Sequence, residues 1–124
     1  MKFIDTHTHL YLEQFLEDID TVISNSISSG IDKLFLPNIS SETTKNMLDL
    51  CKKYPETCYA MMGLHPCDVK SESIEKELLH IEEMLEKEKF IGVGEIGIDL
   101  YWEKSTLPLQ KEAFIFQIDL AKKH

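Results

Sequence analysis

Lys33-Leu34-Phe35-Leu36-Pro37-Asn38 decides the fold. It is a short, mostly apolar run closed by a proline and an asparagine, the pattern of a strand buried on both faces of a parallel sheet. Before it, Leu16, Ile19, Val22, Ile23 and Ile27 recur at helical spacing and run into Gly30, a natural C-terminal stop. Before that helix, Phe3-Ile4 supplies a first apolar strand. After Asn38, Ser40 or Ser41 caps a helix striped by Met47, Cys51 and Tyr54 and interrupted at Pro55. Tyr59-Ala60-Met61-Met62 reads as a third strand. An amphipathic helix follows from Ser73 to Glu88, with Ile74, Leu78, Ile81 and Leu85 on one face and a solvated acidic face opposite. Ile91-Gly92-Val93 reads as a fourth strand, and Pro108, Phe114, Ile118 and Ala121 mark a last helix.

The order is βαβαβαβα, with no linker, repeat or low-complexity segment, so residues 1–124 read as one domain or part of one. Such alternation implies an α/β fold with a parallel sheet and right-handed crossovers, either doubly wound or a (β/α) barrel. His7 and His9, Asn38, His65 and Glu95 fall at or just past the ends of the four successive strands, as a barrel arranges its chemistry. A TIM-type barrel takes about 250 residues, so four βα units make a half barrel. A half barrel leaves sheet edges uncovered, which calls for a missing C-terminal half or a second chain.

Composition narrows the function. The 124 residues are 43% hydrophobic and 28% charged, values of a globular chain. No stretch approaches a membrane span and the start lacks the charged-then-apolar pattern of a secretory signal, so a cytoplasmic location is expected. Cys51, Cys58 and Cys67 are odd in number and lack a Cys-x-x-Cys spacing, which makes them reduced thiols. The net charge is −9, with thirteen basic residues, all lysine. That excludes a broad phosphate-binding surface, although bound metal would invert the field in a local pocket. The nucleophile elbow of serine hydrolases and the phosphate loop of nucleotide-binding enzymes are both absent. Gly92-Val93-Gly94 fails as a dinucleotide fingerprint because Glu95 would face the pyrophosphate.

The chemistry concentrates in three motifs. In Asp5-Thr6-His7-Thr8-His9, alternate side chains of an extended strand share a face, so His7 and His9 can grip one divalent ion. Their plain alternative is two surface imidazoles. Asp5 either orients a ligand histidine or forms the turn at the strand end. In Gly94-Glu95-Ile96-Gly97-Ile98-Asp99, Glu95 is either a carboxylate able to bridge two metals or an exposed acid in a glycine turn. Asp99 is a candidate for substrate positioning. In Gly63-Leu64-His65-Pro66, His65 either donates to a phosphate and assists proton transfer or is satisfied by backbone carbonyls. His80, on a solvated helix, and the terminal His124 are given no role.

These three motifs, in this order and spacing, resemble those of the TatD family of metal-dependent deoxyribonucleases, within the amidohydrolase-like barrel enzymes. The resemblance covers the whole chain. It implies that His7 and His9 bind one divalent ion (Mg, Mn or Zn), that Glu95 bridges to a second, and that His65 lines a phosphate pocket. It also implies a hydrolase that cuts DNA phosphodiester bonds through metal-activated water, with further histidines and an aspartate supplied by later strands. Cys67 stands where a histidine is common and Leu100 where an aromatic is frequent, which touches substrate contacts rather than ligands. Hydrolysis by these residues alone is expected to be weak or absent. Two alternatives remain: an amidohydrolase-like enzyme acting on small amides, lactones or phosphotriesters, and a non-catalytic fragment or assembly module.

Overall fold

The computed structural model describes residues 1–124. Three parallel strands, β1 (Phe3–Asp5), β2 (Ile31–Pro37) and β3 (Cys58–Met61), lie side by side in that order. Helices α1 (Ile19–Ser28), α2 (Ser41–Lys53), α3 (Ile74–Lys87) and α4 (Leu107–Lys123) follow the strands in the expected alternation, with a short 3-10 turn at Glu13–Phe15 before α1.

One face of the sheet meets the helices. Leu34 and Leu36 of β2 and Cys58 and Ala60 of β3 point toward Met47 and Leu50 of α2 and Ile23 of α1. A second cluster joins Met62 and Leu64, just past β3, to Ile74 and Ile81 of α3 and to Ala113 and Leu120 of α4. The other face carries Lys33, Phe35 and Tyr59; the two aromatic rings meet edge to face at 6.2 Å and the Lys33 ammonium donates to the Tyr59 hydroxyl at 2.7 Å. The expectation that β2 is buried on both faces is therefore corrected. Alternate residues of β2 reach the helical layer, and those between them stay half-buried because no second layer covers them.

The fourth segment also departs from a full strand. Ile91-Gly92-Val93 runs beside β3, giving the Ile91 N–H to Ala60 O and taking the Met62 N–H on Gly92 O, yet it forms only one bridge, Met62 to Val93. The Gly94 N–H still donates to Met62 O at 2.9 Å, but from the Gly94 carbonyl onward the backbone crosses to the end of β2, so the ladder stops.

Helix α3 buries Ile74, Leu78 and Ile81 as its stripe requires, but Leu16 and Ile27 of the first stripe are exposed. Helix α4 is rotated from expectation. It buries Gln110, Ala113, Gln117 and Leu120, while Ala121 is exposed. Two glutamines sit inside because their amides have backbone partners: Gln117 Oε1 accepts the Leu64 N–H at 2.7 Å, and Gln110 exchanges two hydrogen bonds with the Asp99 backbone at 2.8 and 2.9 Å. A buried polar group with its partners satisfied costs little, so polarity alone misplaced this face. Likewise, Glu77 on the acidic helix is buried and accepts the N–H and hydroxyl of Ser41 at the start of α2. His80 pairs with Thr44 at 2.9 Å and so ties α3 to α2.

All three cysteines are free. Burial pushes the Cys51 thiol up to about 12 and the Cys58 thiol up to about 11, so neither offers thiolate at neutral pH. Cys67 alone is exposed. The native chain is expected to take up one equivalent of maleimide, at Cys67, and three after denaturation, read by intact mass.

Candidate metal centre

Beyond β1 the chain stays extended, because the Thr8 N–H donates to Phe35 O of β2 at 3.1 Å. That bond holds Thr8 against the sheet, and the flanking His7 and His9 turn to one side. The Asp5 carboxylate accepts the His7 N–H at 3.1 Å and so braces the extended backbone that carries His7.

Glu95 comes from the other side of the sheet by way of Asn38. Asn38 N–H donates to Gly94 O and Asn38 O accepts the Glu95 N–H, each at 3.0 Å. The asparagine is fully buried. Its side-chain amide donates to Ser40 O, Thr44 Oγ1 and Gly63 O, and its Oδ1 accepts from the Thr43 hydroxyl. This network ties the ends of β2 and β3 to the Gly94–Glu95 peptide. Gly63 makes the crossing possible, since a Cβ there would lie 2.6 Å from Gly94 C and 3.0 Å from Glu95 N.

The result is a triad. His7 Nε2 lies 3.2 Å from His9 Nε2 and 3.0 Å from Glu95 Oε2, and His9 Nε2 lies 3.2 Å from the same oxygen. Two ring nitrogens and a carboxylate oxygen thus crowd one point, an arrangement that a shared cation stabilises. Ligand atoms bound at about 2.0–2.1 Å around a tetrahedral ion stand about 3.3 Å apart, which is close to these spacings. The donor set fits zinc or a similar divalent ion. The other carboxylate oxygen, Oε1, faces His65 Nε2 at 3.2 Å. Glu95 therefore reaches two neighbours at once.

Around the triad the side chains of His9, Glu95 and His65 are each about one quarter exposed, and that of His7 about half. Burial holds the His9 pKa below its ordinary value against the opposing pull of the Glu95 carboxylate, which leaves it neutral and able to ligate at neutral pH. Tyr11, two residues on, is buried with its hydroxyl 2.8 Å from His9 Nδ1. His65 Nδ1 accepts the Cys67 N–H at 3.1 Å.

The structure thus gathers His7, His9, Glu95 and His65. It does not bring Asp99 into the triad. Asp99 lies beside Cys67, Lys70 and Trp102 on a neighbouring cavity of about 320 Å³. Its backbone is clamped by Gln110, and its carboxylate accepts the Tyr101 N–H at 2.8 Å. Tyr11, Gln110 and Gln117 were missed from sequence. Their one signal was weak: Gln110 and Gln117 lie seven residues apart, in register with Ala113 and Leu120.

A parallel strand–helix sheet that presents a His-x-His and a carboxylate at the strands' C-terminal ends has the architecture of a barrel metallohydrolase. The chain matches the TatD related DNase family over residues 4–124 and belongs to that family. It is 34% identical over 95% of its length to the uncharacterized metal-dependent hydrolase YabD of Bacillus subtilis, covering 46% of that protein. It is 28% identical over 95% of its length to the 3'-5' ssDNA/RNA exonuclease TatD of Edwardsiella piscicida, covering 45% of it. The crystal structure of YjjV, a TatD homologue from Escherichia coli, superimposes with a TM-score of 0.88 at 31% identity, over 98% of this chain and 47% of that one. The chain spans about half the length of the curated relatives it matches. The half-barrel expectation agrees with these proportions, and no helix is long and apolar enough to cross a membrane.

Two substitutions test the scaffold. Gly63→Ala forces the Gly94–Glu95 backbone away and is expected to cost about 1–3 kcal/mol in urea unfolding, the usual penalty for overpacking. Asn38→Ala strands several buried partners and is expected to cost about 2–3 kcal/mol by the same measurement.

Proposed function

We propose that this chain carries the first-strand and fourth-segment part of a TatD-type nuclease centre, in which His7, His9 and Glu95 hold a divalent ion and His65 contacts the phosphodiester. The convergence of three ligand atoms within hydrogen-bonding distance of one another is the observation that carries this reading. A bound divalent ion supplies Lewis acidity and an activated water for hydrolysis.

The protein's own contribution is positioning. Neutral His9 and its neighbour His7 offer nitrogen donors from a backbone pinned by Thr8, and Glu95 offers an oxygen from a backbone pinned by Asn38. Glu95 turns Oε2 to the two histidines and Oε1 toward His65, so the same carboxylate would have an oxygen left for a second ion. His65 meets the substrate at that outer edge. Asp99, on the adjoining cavity, lines the path of a flanking nucleotide. The names of the exonuclease relatives make single-stranded nucleic acid the substrate class to try first. A net charge of −9 means that phosphate approaches only where bound cations offset the acidic surface.

In the full family site, later strands supply the remaining ligands, so hydrolysis by these 124 residues alone is weak or absent. Zinc or manganese titrated by calorimetry is expected to bind the wild-type chain one to one. Glu95→Gln and His7→Ala are each expected to weaken binding by more than about 100-fold, since loss of a mere ligand-orienting partner costs about 10–100-fold. Wild-type binding that is absent, or unaffected by both substitutions, overturns the metal site. A complete relative-length protein that hydrolyses amides, lactones or phosphotriesters but leaves 3'-labelled single-stranded DNA intact overturns the nuclease assignment.

A further inference from the structure

Two histidines flank Glu95 on opposite sides, and each has its second ring nitrogen engaged by a different kind of group. His9 Nδ1 meets the Tyr11 hydroxyl at 2.8 Å, and that hydroxyl donates to the Pro37 carbonyl at 2.5 Å. A phenol has one hydrogen. With that hydrogen on Pro37 O, the phenol oxygen can only accept from the imidazole, so the ring proton must sit on His9 Nδ1. The reverse arrangement would press two acceptors together at 2.5 Å in a buried place, where an unpaired carbonyl is costly.

At His65 the polarity is opposite. Nδ1 accepts from the Cys67 backbone N–H, a group that can only donate. In neutral imidazole the proton must then be on Nε2, the nitrogen 3.2 Å from Glu95 Oε1.

We infer that Tyr11 is a positioning residue that fixes His9 as the Nδ1–H tautomer and so presents Nε2 to the cation as a bare lone pair, while the Cys67 amide fixes His65 in the opposite tautomer. This rests on the metal reading above and extends it. His9 becomes a ligand and His65 becomes a donor, although both point at the same carboxylate. The His65 Nε2–H faces Glu95 Oε1 at 3.2 Å and is left available to a phosphate oxygen, and His65 stays outside the ligand set because that nitrogen has no free lone pair. Tyr11 does this without touching the cation. Its ring packs edge to face on His9 at 5.7 Å, and its hydroxyl refers the imidazole to the last carbonyl of β2.

The test is long-range proton–nitrogen correlation on metal-free, histidine-labelled chain at mildly alkaline pH, which needs neither bound metal nor nucleic acid. The expected spectrum shows a protonated Nδ1 at His9 and a protonated Nε2 at His65. Tyr11→Phe keeps the ring and removes the hydroxyl. It is expected to shift His9 toward the other tautomer and to weaken zinc binding by about 10–100-fold, with no change in the His65 pattern. A protonated Nε2 at His9 in the wild type, or a protonated Nδ1 at His65, overturns the inference whether or not the variant folds. A folded Tyr11→Phe chain with unchanged His9 tautomer and zinc affinity also overturns it. Failure of the nuclease assay with these tautomers in place would sink the substrate assignment and leave the positioning role standing.

Discussion

Asn38 gives its N–H to Gly94 and takes the N–H of Glu95, and the site depends on that exchange. A strand order of β1-β2-β3 followed by the fourth segment would leave an acid on the fourth position with two strands between it and histidines on the first. The exchange draws the Gly94–Glu95 backbone across the end of β3 onto β2, next to β1. Gly63 clears the way by having no side chain. Asn38 carries both a donor and an acceptor on a short arm, and it spends its amide N–H groups on Ser40, Thr44 and Gly63 while its backbone holds the acid.

The electrostatics are local in an otherwise acidic molecule. Three groups of the centre are fixed by neutral partners: Thr8 by Phe35 O, His9 by Tyr11, His65 by the Cys67 amide. No lysine stands in the centre's network of hydrogen bonds or ion pairs. A cation held among the three ligand atoms would offset the Glu95 charge, in keeping with the donor chemistry of the triad.

Much of this was legible in the residues. Strand–helix alternation follows from short apolar runs between amphipathic stretches, and a His-x-His after a short strand implies a shared face whatever the surroundings. What escaped were interactions that depend on long-range geometry. The inward turn of Gln110 and Gln117 reverses the polarity rule because each amide finds a peptide group contributed by a distant loop. Tyr11 reads as an ordinary apolar residue until its hydroxyl is seen between His9 and Pro37. The fourth strand is nearly absent because its glycines follow the pull of Asn38 rather than the ladder, and His80, set aside as solvated, pairs with Thr44.

Helix α4 lies behind the sheet, yet it holds two rim segments at once. Gln117 grips Leu64, beside His65, and Gln110 grips Asp99, at the neighbouring cavity. Seven residues of helix set these grips about 10 Å apart on a rigid rod. The two segments are thus tied to one rod, and a tilt or slide of α4 would carry both together.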